Sequence, residues 1–319
     1  MSRFGRFEVS GVLGRGAHGV VYSATAPETG QEVAIKVLSA GRDANEVQRR
    51  RFQREVAALA RLSHPGLMQV LDAGEAEGVP WFAMRKIEGE TLGERLSEGP
   101  LPLEGVLDLG RQLCAALGAA HAAGILHRDV KPDNVLWVAE DGRYVLTDFG
   151  LAKDLEVLAS IQLSREGAIQ GTPGYWSPEQ AAGRLDEVGP ATDVYSLGAT
   201  LYKALTGEAP IEAESFVEVV LATQNAQPAP CRRLRPEAPA WLERVLLRCL
   251  AKDPAQRFAS LAELDAALAA RGAEEWSARA LLPQGVAALL TLGALGVGAL
   301  GWSRVSAPPS SSEASASPS

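Results

Sequence analysis

Two short stretches decide the interpretation of this chain: His127-Arg128-Asp129-Val130-Lys131-Pro132-Asp133-Asn134 and Asp148-Phe149-Gly150. Together they place a candidate base, a cation and two candidate metal ligands within a short span. Phosphoryl transfer needs such a set, because a carboxylate must accept or orient the proton of the acceptor hydroxyl while cations balance the phosphate charge. Few other reactions use these residue types in this order.

The composition is that of a globular protein. The 319 residues are 46% hydrophobic and 22% charged, which is enough to bury a large core. The net charge of -8 gives no support for nucleic-acid binding, which needs a basic face. Three widely spaced cysteines show no metal-ligand spacing, so we expect buried free thiols in a reducing compartment. The first residues lack the apolar segment of a signal peptide, and none is expected.

A glycine-rich run, Gly14-Arg15-Gly16-Ala17-His18-Gly19, separates two predicted strands. Glycine lets the backbone approach a phosphate closely, with N–H groups facing the oxygens. Such a run alone is a weak signal, because many are merely turns. Here a strand follows the run, and this context favours a hairpin lid over a nucleotide rather than a dinucleotide-binding fold.

The predicted strand Glu32–Leu38 carries Lys36 between apolar residues. A buried lysine needs an anion or a partner carboxylate. On an edge strand the lysine would lie in solvent, and this strand considered by itself favours that exposed position. Glu46–Leu62 has the apolar spacing of a helix, and Glu55 borders the stripe that this helix would bury. Glu55 is therefore placed to reach inward to Lys36.

The order of these features resembles the bacterial Ser/Thr branch of the protein kinase family. The resemblance covers roughly Phe7–Arg271. Its motifs, in family order, are the glycine-rich run, Val33-Ala34-Ile35-Lys36, Glu55, His127 to Asn134, Asp148 to Gly150 and Ser177-Pro178-Glu179. The resemblance implies an α+β bilobal kinase fold: a small antiparallel sheet with one helix over residues 1–86, and a mostly helical lobe over 87–271.

The resemblance also implies roles for individual residues, with ATP and Mg²⁺ as cofactors. Asp129 and Lys131 would be catalytic, and Asn134 and Asp148 would bind Mg²⁺. The residues implied to bind the nucleotide are Gly14, Gly16, Gly19, Val21, Ala34, Lys36, Glu55, Met84, Ile87 and Leu136. Those implied to serve activation or structural support are Arg128, Thr172, Glu179, Asp193 and Arg257.

Residues 151–170 have weak periodicity and mixed charge, as expected for an activation segment. In the family, the arginine at the position of Arg128 awaits a phosphate on this segment. Candidate phosphosites are Ser160, Ser164 and Thr172; the last is more often a substrate-loop hydroxyl that contacts the catalytic residues.

The chain departs from the family pattern in two places. Trp176 and Ser177 replace residues that are usually small or sulfur-containing, which predicts an unusual peptide preference. Arg85-Lys86 replaces an acidic-aromatic pair in the connector between the lobes. Because the contacts to adenine there are mostly made by the backbone, ATP binding is expected to survive.

The last part of the chain predicts a membrane anchor. We expect the kinase helices to end with Leu261–Ala270, followed by a linker (272–284), a transmembrane helix (285–303) and a short disordered tail outside the cytoplasm (304–319). The apolar run of 18 residues would span about 27 Å at ~1.5 Å per residue. An extra buried helix on the larger lobe is the alternative. ATP and reduced thiols place the kinase in the cytoplasm.

The predicted function is a single-pass membrane Ser/Thr protein kinase that phosphorylates proteins, including itself within a homodimer, and does not bind nucleic acid. A catalytically inactive, membrane-anchored scaffold with the same fold is the alternative from another class. A small-molecule kinase is weakened by the intact Ser177-Pro178-Glu179 segment, which shapes a peptide groove in the family.

Overall fold

A computed structural model describes residues 3–16, 19–38, 46–150 and 173–280. Met1–Gly272 form one compact unit, which contains all of the predicted catalytic, nucleotide-binding and metal-binding residues. Of the second unit, Ala273–Ser319, only the helical residues up to Ala280 are described.

The first part of the chain forms a six-stranded antiparallel sheet in the spatial order β1-β2-β3-β4-β6-β5. The strands are β1 (Arg3–Phe4), β2 (Phe7–Gly16), β3 (Gly19–Ala26), β4 (Gln31–Leu38), β5 (Val70–Ala76) and β6 (Val79–Arg85). Because β4 pairs with both β3 and β6, it lies inside the sheet. Lys36 is therefore on a central strand and only 6% exposed, so the edge-strand alternative is wrong.

Helix α1 (Glu46–Leu59) is inserted between β4 and β5 in the chain. It buries Phe52, Val56 and Leu59, as the helical spacing predicts. The helix ends three residues before the predicted Leu62, which instead belongs to a turn closed by a hydrogen bond from its N–H to the carbonyl of Leu59. Glu55 lies beside this buried stripe and keeps 26% of its side chain exposed.

The rest of the unit is mostly helical. A three-stranded sheet is made by β7 (Glu90–Thr91), β8 (Val135–Val138) and β9 (Arg143–Leu146). The helices are α2 (Leu92–Ser97), α3 (Leu103–Ala122), α4 (Pro178–Ala181), α5 (Pro190–Thr206), α6 (Phe216–Asn225), α7 (Cys231–Leu234), α8 (Ala240–Cys249) and α9 (Leu261–Ala280). The predicted α+β kinase architecture, a small sheet with one helix followed by a mostly helical lobe, is thus present.

Helix α5 is the centre of the helical lobe, and most of its residues are buried. It packs closely on α8, because a Cβ added at Gly198 would lie 2.3 Å from the Cβ of Cys249. The three cysteines are free and buried, as predicted. Burial raises the pKa of the Cys249 thiol to about 12. The thiol therefore stays protonated at neutral pH and is a poor nucleophile.

Helix α9 continues to Ala280, ten residues past the predicted end at Ala270. The expected linker therefore begins as helix, and its first residues, Gly272-Ala273-Glu274-Glu275, include good helix formers. None of the described helices has the length and apolar composition needed to cross a membrane. The predicted span, 285–303, lies outside the described residues.

Candidate active site

Asp193, in the first turn of α5, holds the catalytic loop in place. Its carboxylate accepts hydrogen bonds from the backbone N–H groups of His127 (2.8 Å) and Arg128 (2.7 Å). The Nε2 atom of His121 lies 2.7 Å from the same carboxylate. A fully buried carboxylate needs such partners. The bonds also hold Arg128 at φ 63°, a left-handed conformation that costs a non-glycine residue about 1–2 kcal/mol.

His127 serves as a structural residue, as the resemblance implies. Its Nε2 lies 2.8 Å from the carbonyl oxygen of Thr147, so Nε2 carries the proton and donates. Its Nδ1 then accepts the backbone N–H of Asp129 (3.2 Å). Complete burial lowers the pKa of His127, which agrees with this neutral tautomer. The imidazole therefore fixes the backbone of the next functional residue.

Asp129 is the best candidate for the general base. Its side chain is 7% exposed, and its Oδ2 accepts a hydrogen bond of 2.9 Å from Asn134 Nδ2. The same amide nitrogen donates to the carbonyl of Asp129 (2.7 Å), and Lys131 Nζ lies 3.3 Å from Oδ2. The carboxylate is thus oriented by an amide and flanked by an ammonium group.

Asp148 follows β9 and faces the strand lysine. Its Oδ1 lies 2.8 Å from Lys36 Nζ. Glu55 Oε1 lies instead 3.8 Å from Arg128 Nη1. The predicted pairing of Lys36 with Glu55 is therefore wrong for this structure. Lys36 pairs with Asp148, and Glu55 pairs with Arg128 of the catalytic loop.

The residues predicted to bind Mg²⁺ suit that ion. The amide nitrogen of Asn134 faces Asp129, so its carbonyl oxygen is the atom left to serve as a ligand, and Asp148 offers carboxylate oxygens. Mg²⁺ is commonly bound by one or two protein oxygens together with substrate phosphates and water. Within the described residues, no three His, Cys, Asp or Glu side chains group as a metal site by themselves.

One face of the six-stranded sheet carries four of the ten residues predicted to contact the nucleotide. Cross-strand pairing puts Val21 opposite Lys36, and Ala34 opposite Met84. Because side chains alternate between faces along a strand, all four residues share one face. Leu136 lies on β8 between Thr91 and Val145, and Ile87 follows β6; both are partly buried.

The three glycines of the loop differ in their backbone constraints. Gly19 has φ +140°, and a Cβ added there would lie 1.9 Å from the carbonyl oxygen of Val37. Among the described residues, a Cβ at Gly14 or Gly16 would meet nothing within 4 Å. Gly19 is therefore needed for β3 to pair with β4, whereas space alone does not require the other two.

The segment that follows the activation segment is anchored by a buried ion pair. Arg257 donates to both carboxylate oxygens of Glu179 at 2.8 Å, and both side chains are fully buried. Burial alone would raise the pKa of Glu179, but the hydrogen bonds and charge of Arg257 lower it overall. The pair predicted from the resemblance is present. Thr172, Ser160 and Ser164 lie outside the described residues.

Two residues at this site were not identified from the sequence. Gln180 donates from Nε2 to the carbonyl of Arg128 (2.8 Å) and accepts from the backbone N–H of Ser177 (3.1 Å). The sequence contains a pattern that could have identified Gln180, because serine followed three residues later by glutamine is typical of a capping box. His121, the second missed residue, gave no such signal; only the fold brings it to Asp193.

Comparison with known proteins agrees with this geometry. The model of the protein kinase domain matches residues 7–268, and the chain belongs to the protein kinase family. Among its relatives are the serine/threonine-protein kinases PknD of Mycobacterium tuberculosis (39% identical over 291 residues) and PrkC of Bacillus subtilis (34% over 263 residues). These alignments cover 89% and 82% of this chain but 42% and 40% of the relatives, so the chain spans about two fifths of their length.

A solved structure supports the same family assignment. The crystal structure of the M. tuberculosis PknI kinase domain has a TM-score of 0.67 and 34% sequence identity. The match covers 83% of this chain and 96% of that domain. The predicted membership in the bacterial Ser/Thr branch is confirmed by these relatives, whereas the roles of individual residues stay predictions.

Proposed function

We propose that this chain is a Ser/Thr protein kinase, which transfers the γ-phosphate of ATP to hydroxyl groups of proteins and of itself. The observation that carries the proposal is the Asp129 carboxylate, held by Asn134 Nδ2 at 2.9 Å with Lys131 Nζ 3.3 Å away. A base oriented on one side and a cation next to it are what the transfer to a hydroxyl requires.

In this proposal each residue has one task. Asp129 accepts or orients the proton of the acceptor hydroxyl as the oxygen attacks the γ-phosphorus. Lys131 balances negative charge on the phosphoryl group as it moves from ADP to the acceptor. Bound Mg²⁺, held by Asn134 and Asp148, would supply charge neutralisation at the phosphates. Lys36, on the same sheet face as Ala34, would hold phosphate oxygens of the nucleotide.

The test is phosphate incorporation from labelled Mg-ATP, with wild type compared to Asp129→Asn. Loss of a general base typically lowers the rate by about 10²–10⁴-fold. Asp141→Asn is the matched control, because it makes the same change at an exposed turn where Asp141 pairs with Arg143. If wild type incorporates no more phosphate than Asp129→Asn, the inactive scaffold is the better account.

The proposal extends to location and assembly. Residues 285–303 would cross the membrane once, which is supported by the absence of charged residues between Arg279 and Arg304. The kinase would lie on the cytoplasmic side, where ATP and reducing conditions are found. Deletion of Pro283–Ser319 should then move the protein from the membrane to the soluble fraction; a full-length chain that is soluble without detergent would contradict the anchor. Self-phosphorylation would occur between two copies, so its specific rate should rise with protein concentration.

A further inference from the structure

The peptide unit between Arg128 and Asp129 is held by hydrogen bonds at both of its polar groups. Its N–H, which belongs to Asp129, donates to Nδ1 of His127 (3.2 Å). Its carbonyl, which belongs to Arg128, accepts a hydrogen bond from Nε2 of Gln180 (2.8 Å). Because a peptide unit is planar, bonds at the N–H and at the carbonyl together fix its rotation. The plane from which the side chain of Asp129 projects is therefore set by two other side chains.

The amide group of Gln180 is oriented by the start of helix α4. Its Oε1 accepts hydrogen bonds from the backbone N–H (3.1 Å) and the hydroxyl (3.3 Å) of Ser177. The backbone N–H of Gln180 donates in return to the Ser177 hydroxyl oxygen (3.4 Å), which completes a capping box. With Oε1 turned to Ser177, the Nε2 atom is the one left to face the Arg128 carbonyl.

Helix α4 is itself anchored to the helical lobe on both sides of Gln180. Glu179, the preceding residue, forms the buried pair with Arg257 at 2.8 Å. Ala181, the following residue, accepts a hydrogen bond at its carbonyl from Nε2 of Gln224 on α6 (3.4 Å). A side chain on such an anchored element holds its partner more firmly than one on a free loop.

The bond from Gln180 supports a backbone conformation that is unfavourable by itself. Arg128 has a φ of 63°, which non-glycine residues rarely adopt, and this angle turns the chain just before Asp129. On the other side of the base, Asn134 Nδ2 donates to the carbonyl (2.7 Å) and to Oδ2 (2.9 Å) of Asp129. Gln180 thus holds the peptide unit before Asp129, and Asn134 holds the carbonyl and the carboxylate. A base is effective only within a narrow range of positions.

We propose that Gln180 is a positioning residue for the general base. Its Nε2–H group sets the plane of the Arg128–Asp129 peptide unit, and this plane directs the Asp129 carboxylate to the acceptor hydroxyl. Gln180 acts through the catalytic loop and not on the reacting atoms. The effect on catalysis rests on the proposed kinase function. The effect on the loop does not, and it can be measured without phosphate transfer.

Gln180→Glu tests the donor by itself, because a carboxylate has the shape of the amide. A capping box accepts glutamate as well as glutamine, so the bonds to Ser177 remain, whereas the Arg128 carbonyl now faces an oxygen instead of an N–H group. The kcat should fall by about 10–100-fold, as expected when a catalytic group is displaced by up to ~1 Å. The KM for ATP should stay within about twofold, because Gln180 acts on the base and not on the nucleotide. A residue that only caps the helix would not produce this split.

Gln180→Met is the second variant, which removes the donor without adding a charge, and it should also lower kcat. Gln224→Glu is the matched control, because it makes the same chemical change in a glutamine that bonds a carbonyl of α4 rather than of the catalytic loop. Its kcat should stay within about twofold of wild type. An equal loss of kcat in Gln180→Glu and Gln224→Glu would overturn the proposal, since any disturbance of α4 would then have the same effect.

Amide hydrogen exchange of the full-length chain in detergent measures the loop itself. The backbone N–H groups of residues 127–129 are bonded to Asp193 and to the ring of His127, so we expect all three to be protected in wild type. Their exchange should be faster by about tenfold or more in both Gln180 variants and unchanged in the control variant. Unchanged exchange in both Gln180 variants would overturn the proposal, whether or not the chain transfers phosphate.

The two measurements separate this proposal from the kinase function. If wild type incorporates no more phosphate than Asp129→Asn, the kinase function fails, and the exchange of residues 127–129 alone supports or overturns the role of Gln180 in the loop. If the chain is active and exchange becomes faster in both Gln180 variants while kcat is unchanged, the proposal is wrong, because the position of Asp129 would then not depend on the peptide plane.

Discussion

Lys36 Nζ lies 2.8 Å from Asp148 Oδ1, so the central-strand lysine and the aspartate after β9 form a direct ion pair. Asp148 holds φ 55°, which costs a non-glycine residue about 1–2 kcal/mol. Local strain of this kind is often concentrated at functional sites. In the proposed mechanism both side chains serve the nucleotide, one at the phosphates and the other at Mg²⁺, so their pair would be rearranged when ATP and Mg²⁺ bind.

Replacing the lysine tests its proposed electrostatic role. Lys36→Met should lower phosphate incorporation by about 10²–10³-fold, the usual cost of removing one preorganised electrostatic contact to the transition state. Arg61→Met, which removes an exposed cation from the same lobe, should leave the rate unchanged. A Lys36→Met rate within a factor of about three of wild type, a difference of under 1 kcal/mol, would contradict the role.

Asn134 orients Asp129 through its Nδ2 atom, and in the proposed mechanism its carbonyl oxygen has a second, separable task as a ligand of Mg²⁺. Asn134→Ala should therefore lower kcat and also raise the Mg²⁺ concentration that gives half-maximal rate. The measurement is a Mg²⁺ titration of phosphate incorporation at saturating ATP. If kcat falls while the half-maximal Mg²⁺ concentration is unchanged, Asn134 acts only through Asp129, and its assignment as a metal ligand is wrong.

The sequence was sufficient for the architecture and for the Glu179–Arg257 pair, but not for the partners of Lys36 and Glu55. Asp129 and Asn134 are close in sequence, so their contact follows from the loop itself. Lys36 and Glu55 depend on how α1 is placed against the sheet, which residue spacing does not determine. The alternative partners, Asp148 and Arg128, come from distant segments.

Gly19 is a second position where the sequence pattern does not determine the contacts, here within the glycine-rich run. The pattern treats the three glycines of the loop alike, yet only Gly19 combines positive φ with close approach of the Val37 carbonyl. Gly19→Ala should lower the free energy of unfolding by about 2 kcal/mol, because it strains the backbone and separates β3 from β4. Gly11→Ala, with no atom within 4 Å of the added Cβ in the described residues, is the control for urea denaturation. Equal losses in both variants would contradict the steric explanation.

The buried pair of Glu179 and Arg257 should dominate the stability of the helical lobe. Arg257→Ala leaves a buried carboxylate without its cation, which should cost about 3–5 kcal/mol in urea denaturation. Arg184→Ala breaks an exposed pair with Glu187 of similar length, 3.0 Å, and should cost less than about 1 kcal/mol. Comparable losses in the two variants would show that burial does not set the strength of the first pair.

The Glu179–Arg257 pair also predicts the direction in which the free energy of unfolding changes with pH. In wild type the pKa of Glu179 is lowered below its ordinary value of 4.5, so its contribution to stability is present above that pH and is lost as pH falls through the lowered pKa. In Arg257→Ala, burial is left as the largest influence and should raise that pKa, so protonation of Glu179 stabilises the variant as pH falls. The difference in unfolding free energy between wild type and Arg257→Ala should therefore narrow from about pH 7 to about pH 4. Urea denaturation of both proteins across this range measures it, and a constant difference would mean that the Glu179 carboxylate is not the group left unpaired.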